Sequence, residues 1–186
     1  MLSDVLRDRL ITVLRLWDAD RDGAIEESDY AVAAGRMAGM SGFKPGSAEY
    51  EQLHGQLIDG GWQLLRQFDF DGDGRVSIEE ALEGFDGLHA DQQRYRAVII
   101  EPSYSSFDLI DNDHDGRITA EEYRAFIVAM SVDEATAATA FEHLDLDGDG
   151  FLSREEFVQL TDEFYTSDDP DAAGSWLFGK SPSGAS

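Results

Sequence analysis

An all-helical fold of four repeated helix–loop–helix units is the architecture this sequence predicts, and three observations carry it. Four acidic dodecapeptides recur along the 186 residues: DADRDGAIEESD from Asp18, DFDGDGRVSIEE from Asp69, DNDHDGRITAEE from Asp111 and DLDGDGFLSREE from Asp145. Every copy has Gly at its sixth position and an apolar residue at its eighth. The segments around the copies repeat apolar residues at helical rather than strand spacing.

Taken in order, residues 4–17 read as the first entering helix, with Leu6, Leu10, Val13, Leu14 and Trp17 on one stripe. Residues 27–40 leave the first loop, and Gly35 and Gly39 mark places where that helix can bend or pack closely. The Gly, Pro and Ser content of SGFKPGSA, 41–48, makes it a linker. The second entering helix is predicted from Ala48 to Phe68, interrupted near Gly60 and Gly61, and its exit helix from Ile78 to Leu88. Helices follow near 91–101, 104–110, 120–130, 133–144 and 154–165, with Pro102 expected to kink or split the third entering helix. Residues 167–186 form a tail whose apolar patch, Trp176, Leu177 and Phe178, is expected to dock. Loop starts at 18, 69, 111 and 145 are 51, 42 and 34 residues apart, so the excess length lies in the first half. The predicted organisation is an N-terminal pair of units (1–88), a C-terminal pair (89–166) and the tail, the pairs packed into one globule. Phe68, Phe85, Phe107, Phe126, Phe141, Phe157 and Phe164 flank the loops at helical spacings and are assigned to the core.

The dodecapeptide has the chemistry of a calcium loop. A hard cation takes six to eight oxygens, and the twelve-residue EF-hand loop supplies them from positions 1, 3, 5, 7, 9 and 12. Carboxylates fill positions 1, 3 and 5 throughout: Asp18, Asp20, Asp22; Asp69, Asp71, Asp73; Asp111, Asp113, Asp115; Asp145, Asp147, Asp149. The central glycines, Gly23, Gly74, Gly116 and Gly150, permit the positive φ that turns the position-7 carbonyl inward. Those carbonyls belong to Ala24, Arg75, Arg117 and Phe151. Ile25, Val76, Ile118 and Leu152 at position 8 suit short strands through which loops pair. Glu80, Glu122 and Glu156 stand at position 12 as bidentate ligands. Loop 1 differs, with the shorter Asp29 at position 12 and Glu26 at position 9. It is therefore expected to bind Ca²⁺ weakly or to hold Mg²⁺, which prefers six ligands at shorter distance. Up to four Ca²⁺ are expected in all. Ser77, Thr119 and Ser153 at position 9 are expected to orient a ligand water.

The net charge is −25, and 21 of the 39 acidic residues lie in the loops. Such a field disfavours nucleic acid and anionic membranes, which select basic surfaces. Four divalent ions would cancel eight of those charges, so metal and folding are expected to be coupled. With no Cys there is no disulfide or thiolate site. MLSDVLRDRLITVLRLW is an amphipathic segment without the apolar core of a signal peptide, and no stretch reaches the length of a membrane span. A soluble cytoplasmic monomer with no catalytic constellation is the expectation. His54, His89, His114 and His143 are scattered, and adjacent carboxylates such as Glu79 and Glu80 are explained by their loop positions.

The four loops, the long first-to-second-unit linker and the length together resemble the sarcoplasmic calcium-binding proteins and their calerythrin-like bacterial relatives, over residues 1 to about 166. That resemblance implies two facing EF-hand pairs that bury their apolar surfaces, and a role as calcium buffer or carrier. Two other roles stand beside it. A calcium sensor would open a groove to a partner helix, yet Met37, Met40 and Met130 are the only methionines beyond Met1, too few for the Met-rich surface such sensors expose. An EF-hand carrier of an organic ligand, resembling the luciferin-binding and photoprotein branch, would use Trp17 or Trp62 as cavity lining, against which core packing is the stronger expectation.

Overall fold

Side-chain caps start most of the helices. Ser3 Oγ accepts the Leu6 amide at the start of α1 (Asp4–Trp17). The computed structural model describes residues 1–180; residues 181–186, the end of the predicted tail, lie outside that range. After α1 come β1 (Ala24–Ile25) and α2 (Glu27–Met40). The second unit enters through α3 (Ala48–Gly55), a π-helical stretch Gln56–Trp62, α4 (Gln63–Leu65) and a 3₁₀ turn Arg66–Phe68, and leaves through β2 (Val76–Ser77) and α5 (Ile78–His89). The third contains α6 (Gln92–Tyr95), a second π-helical stretch Arg96–Ile100, α7 (Glu101–Ile110), β3 (Arg117–Thr119) and α8 (Ala120–Ala129). The fourth contains α9 (Glu134–Leu144), β4 (Phe151–Ser153) and α10 (Arg154–Thr166), after which a 3₁₀ turn, Ala173–Trp176, lies in the tail.

The strands pair as the position-8 residues require. Antiparallel β1 and β2 set Ile25 opposite Val76, and β3 and β4 set Ile118 opposite Leu152. All four side chains are fully buried, so each pairing ladder is also a core contact. Of the assigned phenylalanines, Phe68, Phe85, Phe107, Phe141, Phe157 and Phe164 are buried, and Phe126 is partly buried against the same core.

Three local expectations need correction. Gly60 and Gly61 do not interrupt the second entering helix, which widens into a π turn there. Gly61 serves packing instead, because a Cβ at this position would lie 2.6 Å from Tyr30 Cε1. Pro102 does not split the third entering helix. The chain takes the wide π register over 96–100, ending one residue short of the proline that cannot donate, and α7 runs from Glu101 through it. Gly35 and Gly39 do not break α2, which runs from Glu27 to Met40, and neither marks a close approach, since nothing lies within 4 Å of a Cβ built at either.

Long-range ties join α1 and α5 to the end of α10. The buried Arg9 guanidinium of α1 donates to the carbonyls of Phe164 (2.8 Å), Ser167 (3.0 Å), Asp169 (3.0 Å) and Glu163 (3.3 Å) at the end of α10. The ring nitrogens of His89, at the end of α5, lie 2.9 Å from the carbonyl oxygens of Phe85 and Tyr165. α2 packs on α8, and α1 on both α5 and α10.

Candidate metal centres

Each dodecapeptide folds around its own carboxylates. The position-1 Asp accepts the amide of the position-6 Gly in every loop: Gly23 to Asp18 at 3.0 Å, Gly74 to Asp69 at 3.0 Å, Gly116 to Asp111 at 3.0 Å and Gly150 to Asp145 at 2.9 Å. The glycine φ angles are 93°, 89°, 87° and 89°, the left-handed region that a side chain resists. The position-5 carboxylates accept the position-7 amides, Ala24 to Asp22 at 3.1 Å, Arg75 to Asp73 at 2.8 Å, Arg117 to Asp115 at 2.9 Å and Phe151 to Asp149 at 2.9 Å. With its amide engaged in this way, the position-7 peptide is held in a set orientation.

Position 4 also lies at positive φ in every loop, in Arg21 (62°), Gly72 (77°), His114 (58°) and Gly148 (75°). This second turn was readable from the two glycines at that position. His114 is exposed, in keeping with a non-liganding place.

The position-9 hydroxyls have a structural role within the chain itself. Ser77, Thr119 and Ser153 cap the exit helices: each hydroxyl accepts the amide of the position-12 Glu at 3.2 Å, while that Glu returns its carboxylate to the capping residue's own amide. The signal was present as a Ser/Thr-x-x-Glu capping box. In loop 1 the cap is Glu26, reciprocated by Asp29.

Oxygens converge in four groups. One carboxylate oxygen from each member lies within 4.8 Å of the others in Asp18, Asp20 and Asp22; in Asp69, Asp71 and Asp73; in Asp111, Asp113 and Glu122; and in Asp145, Asp147 and Glu156. The position-12 residue is the third member of the cluster in loops 3 and 4, in place of Asp115 and Asp149, whereas in loops 1 and 2 the third member is the position-5 Asp in place of Asp29 and Glu80. Asp29 is buried, with Oδ1 accepting from the Ala19 amide and Oδ2 from the Glu26 amide. Burial pushes its carboxyl above the usual range, although those amides and its neighbours also act on it. Glu80 Oε2 accepts from Ser77 and Oε1 from the Phe70 amide, and these hydrogen bonds hold its carboxyl below the usual range.

The donor set suits a hard divalent ion. All members of the four groups are carboxylates, with no imidazole or thiolate among them. In loop 4, Glu156 Oε1 is shielded from solvent and has no hydrogen-bond donor. A buried carboxylate oxygen left in that condition is costly unless a cation faces it.

Comparison with known proteins agrees with this geometry. The EF-hand domain pair family matches residues 100–162, and the EF hand family matches 63–80. Calerythrin of Saccharopolyspora erythraea is 28% identical over 170 residues, covering 89% of this chain and 94% of calerythrin. The chain carries EF-hand loops and is similar to calerythrin. It binds calcium through EF-hand loops. Two solved structures share the fold at similar identity. A coelenterazine-binding protein from Renilla muelleri, in its calcium-loaded apo form, superposes with a TM-score of 0.75 at 25% identity, covering 96% of this chain and 99% of that one. A Streptomyces coelicolor calcium-binding protein gives 0.71 at 28% identity, covering 87% and 98%. Loop 1 falls outside both family matches. Among the described residues, no helix is long and apolar enough to cross a membrane.

Proposed function

We propose that this protein is a calcium buffer or carrier whose apolar interior stays closed in the metal-loaded state. The observation that carries this reading is the docked tail. Leu177 is buried, Tyr123 Oη donates to the Trp176 carbonyl at 3.1 Å, Trp176 stacks on His143 at 4.0 Å, and Phe178 meets the edge of Phe164 at 5.0 Å. A sensor needs an apolar groove free for its partner. Here the chain's own tail lies against α9 and α10, where such a groove would open.

In this reading loops 2, 3 and 4 are the calcium sites. Their ligands are the carboxylates at positions 1, 3, 5 and 12 and the carbonyls of Arg75, Arg117 and Phe151. Loop 1 offers Asp18, Asp20, Asp22, the Ala24 carbonyl and Glu26, with Asp29 too short and too firmly held to close the cage, and takes Mg²⁺ in preference. Calorimetry and an apolar-surface dye on one sample, with and without Ca²⁺, test the role. Tight binding with unchanged dye fluorescence is the expected result; a large calcium-induced rise in dye binding makes the protein a sensor.

The likeness to a coelenterazine-binding protein favours a second reading, carriage of an organic ligand. Weighing against it, Trp17 stacks on Tyr30 at 4.4 Å and Tyr30 contacts the buried Trp62, so these rings pack on one another rather than line a space. Saturable quenching of tryptophan fluorescence by coelenterazine would support carriage.

A further inference from the structure

Loops 1 and 2 are joined by a contact that loops 3 and 4 lack. The Arg75 guanidinium, at position 7 of loop 2, crosses the β1–β2 ladder and forms an ion pair with Asp22 Oδ2 at position 5 of loop 1. Its Nε lies 3.8 Å from Glu26 Oε2, at position 9 of the same loop. That Nε is shielded from solvent and has no hydrogen-bond partner of its own. Both acidic partners are candidate cation ligands.

The equivalent arginine in the other pair behaves differently. Arg117 stays with its own loop, 3.2 Å from Asp115, and its guanidinium lies over the Phe151 ring at 4.4 Å. The difference follows from the residue opposite. Position 7 of loop 4 is Phe151, whose ring face attracts the cation; position 7 of loop 1 is Ala24, which offers no ring and does not block passage. Loop 1 is also the most acidic of the four, because Glu26 and Glu27 replace a hydroxyl and a non-acidic residue at positions 9 and 10.

We propose that Arg75 is a tethered counter-cation for loop 1, so that this loop takes up a divalent ion only by displacing the guanidinium from Asp22 and Glu26. Arg75 thereby sets loop 1 apart in affinity, independently of the short Asp29. It also places the control of loop 1 on a residue of loop 2, whose own carbonyl is a candidate ligand there. The inference rests on reading loop 1 as a cation site. Displacement costs the ion pairs, and the divalent ion is repelled by a fixed positive charge a few ångströms away. Exposed pairs contribute modestly each, so the two pairs and the repulsion together are expected to weaken loop 1 about tenfold.

Site-resolved titration of the full chain tests this. The amide of each position-6 glycine donates to the first carboxylate of its loop, so the Gly23, Gly74, Gly116 and Gly150 resonances in ¹H–¹⁵N spectra report the loops separately. In Arg75→Ala the Gly23 midpoint is expected at about tenfold lower Ca²⁺ than in the wild type, with the Gly116 and Gly150 midpoints unmoved. Arg75→Lys, which keeps the charge but loses the fork, should fall between. A purely structural role would weaken loop 1 on substitution, not tighten it. An unchanged or higher Gly23 midpoint in Arg75→Ala, with Gly116 and Gly150 still responding, overturns the proposal alone. A titration in which none of the four glycine amides moves overturns the calcium reading with it.

Discussion

Removing the Arg9 guanidinium is expected to be the most damaging single change on α1. Both Glu163 and Phe164 lie in the last turn of α10, but the Glu163 carbonyl already accepts the Ser167 amide at 2.9 Å, so it is the Phe164 carbonyl that the guanidinium supplies with a donor the helix does not. The cation also sits at the negative end of the α10 dipole and 5.6 Å from the Phe164 ring centroid. Charge-assisted hydrogen bonds contribute about 1.5–3 kcal/mol each, but only the bond to Phe164 is fully buried, and water can replace the others in part. The loss in Arg9→Met is therefore set at about 3 kcal/mol, the full value of that buried bond with the others largely compensated. For a chain of this length that is a fall of roughly 6–12 °C in Tm. Arg9→Lys, which keeps the charge but has fewer donors, should lose about half as much. Denaturant unfolding in saturating Ca²⁺, which holds the metal contribution constant, measures both variants. Hydrogen exchange should rise first in residues 167–178, because Ser167 and Asp169 are released together with the end of α10. A loss under about 1 kcal/mol for Arg9→Met, or equal losses for Met and Lys, would show that the cap does not hold the tail in place.

Chelation should lower Tm substantially, since a site at 100 times its Kd contributes about 2.7 kcal/mol; a melt unchanged in excess chelator contradicts the coupling of metal to folding. Glu122→Gln should weaken loop 4 as well as loop 3, because Ile118 and Leu152 share one ladder; loop 4 midpoints identical to wild type, read at Gly150, would count against paired action. Gly174→Ala should release the tail and raise dye binding: a Cβ there would lie 2.5 Å from the Leu160 carbonyl oxygen and 2.8 Å from the Phe164 amide nitrogen, backbone atoms that cannot yield as a flexible side chain can. Unaltered dye binding would mean the groove closes without the tail. Asp29→Glu should raise the preference of loop 1 for Ca²⁺ over Mg²⁺ in competition titrations, as the added methylene lets a second oxygen reach the ion; unchanged selectivity would locate the weakness of loop 1 elsewhere, with Arg75 the first alternative.

Reading residues in order was enough wherever the chemistry is local. Positions 1, 3 and 5 of each loop, the positive φ of Gly23, Gly74, Gly116 and Gly150, and the pairing of Ile25 with Val76 and Ile118 with Leu152 all follow from twelve-residue stretches whose geometry is set by their own hydrogen bonds. Helix limits such as 4–17 and 27–40 were legible for the same reason, with apolar spacing and caps a few residues apart. The capping role of Ser77, Thr119 and Ser153 is equally local, a Ser/Thr-x-x-Glu box closed within four residues.

Tertiary structure decided what depends on residues far apart in the chain. The helix through Pro102 survives because the preceding turn widens, and Gly61 is demanded by the Tyr30 ring, which no local pattern announces. Arg9 is an unremarkable basic residue on an amphipathic helix until α10 ends against it, 155 positions along the chain from Arg9 to Phe164. Arg75 likewise reads as a loop residue lent for its carbonyl; only the β1–β2 register carries its guanidinium across to Asp22 and Glu26. Sequence determined that there are four calcium-type loops and that they pair, since each loop's geometry is closed by its own side chains. Which loop holds its carboxylates free for an ion, and which already has a cation beside them, depends on what the fold sets opposite, and that contact has no local signature.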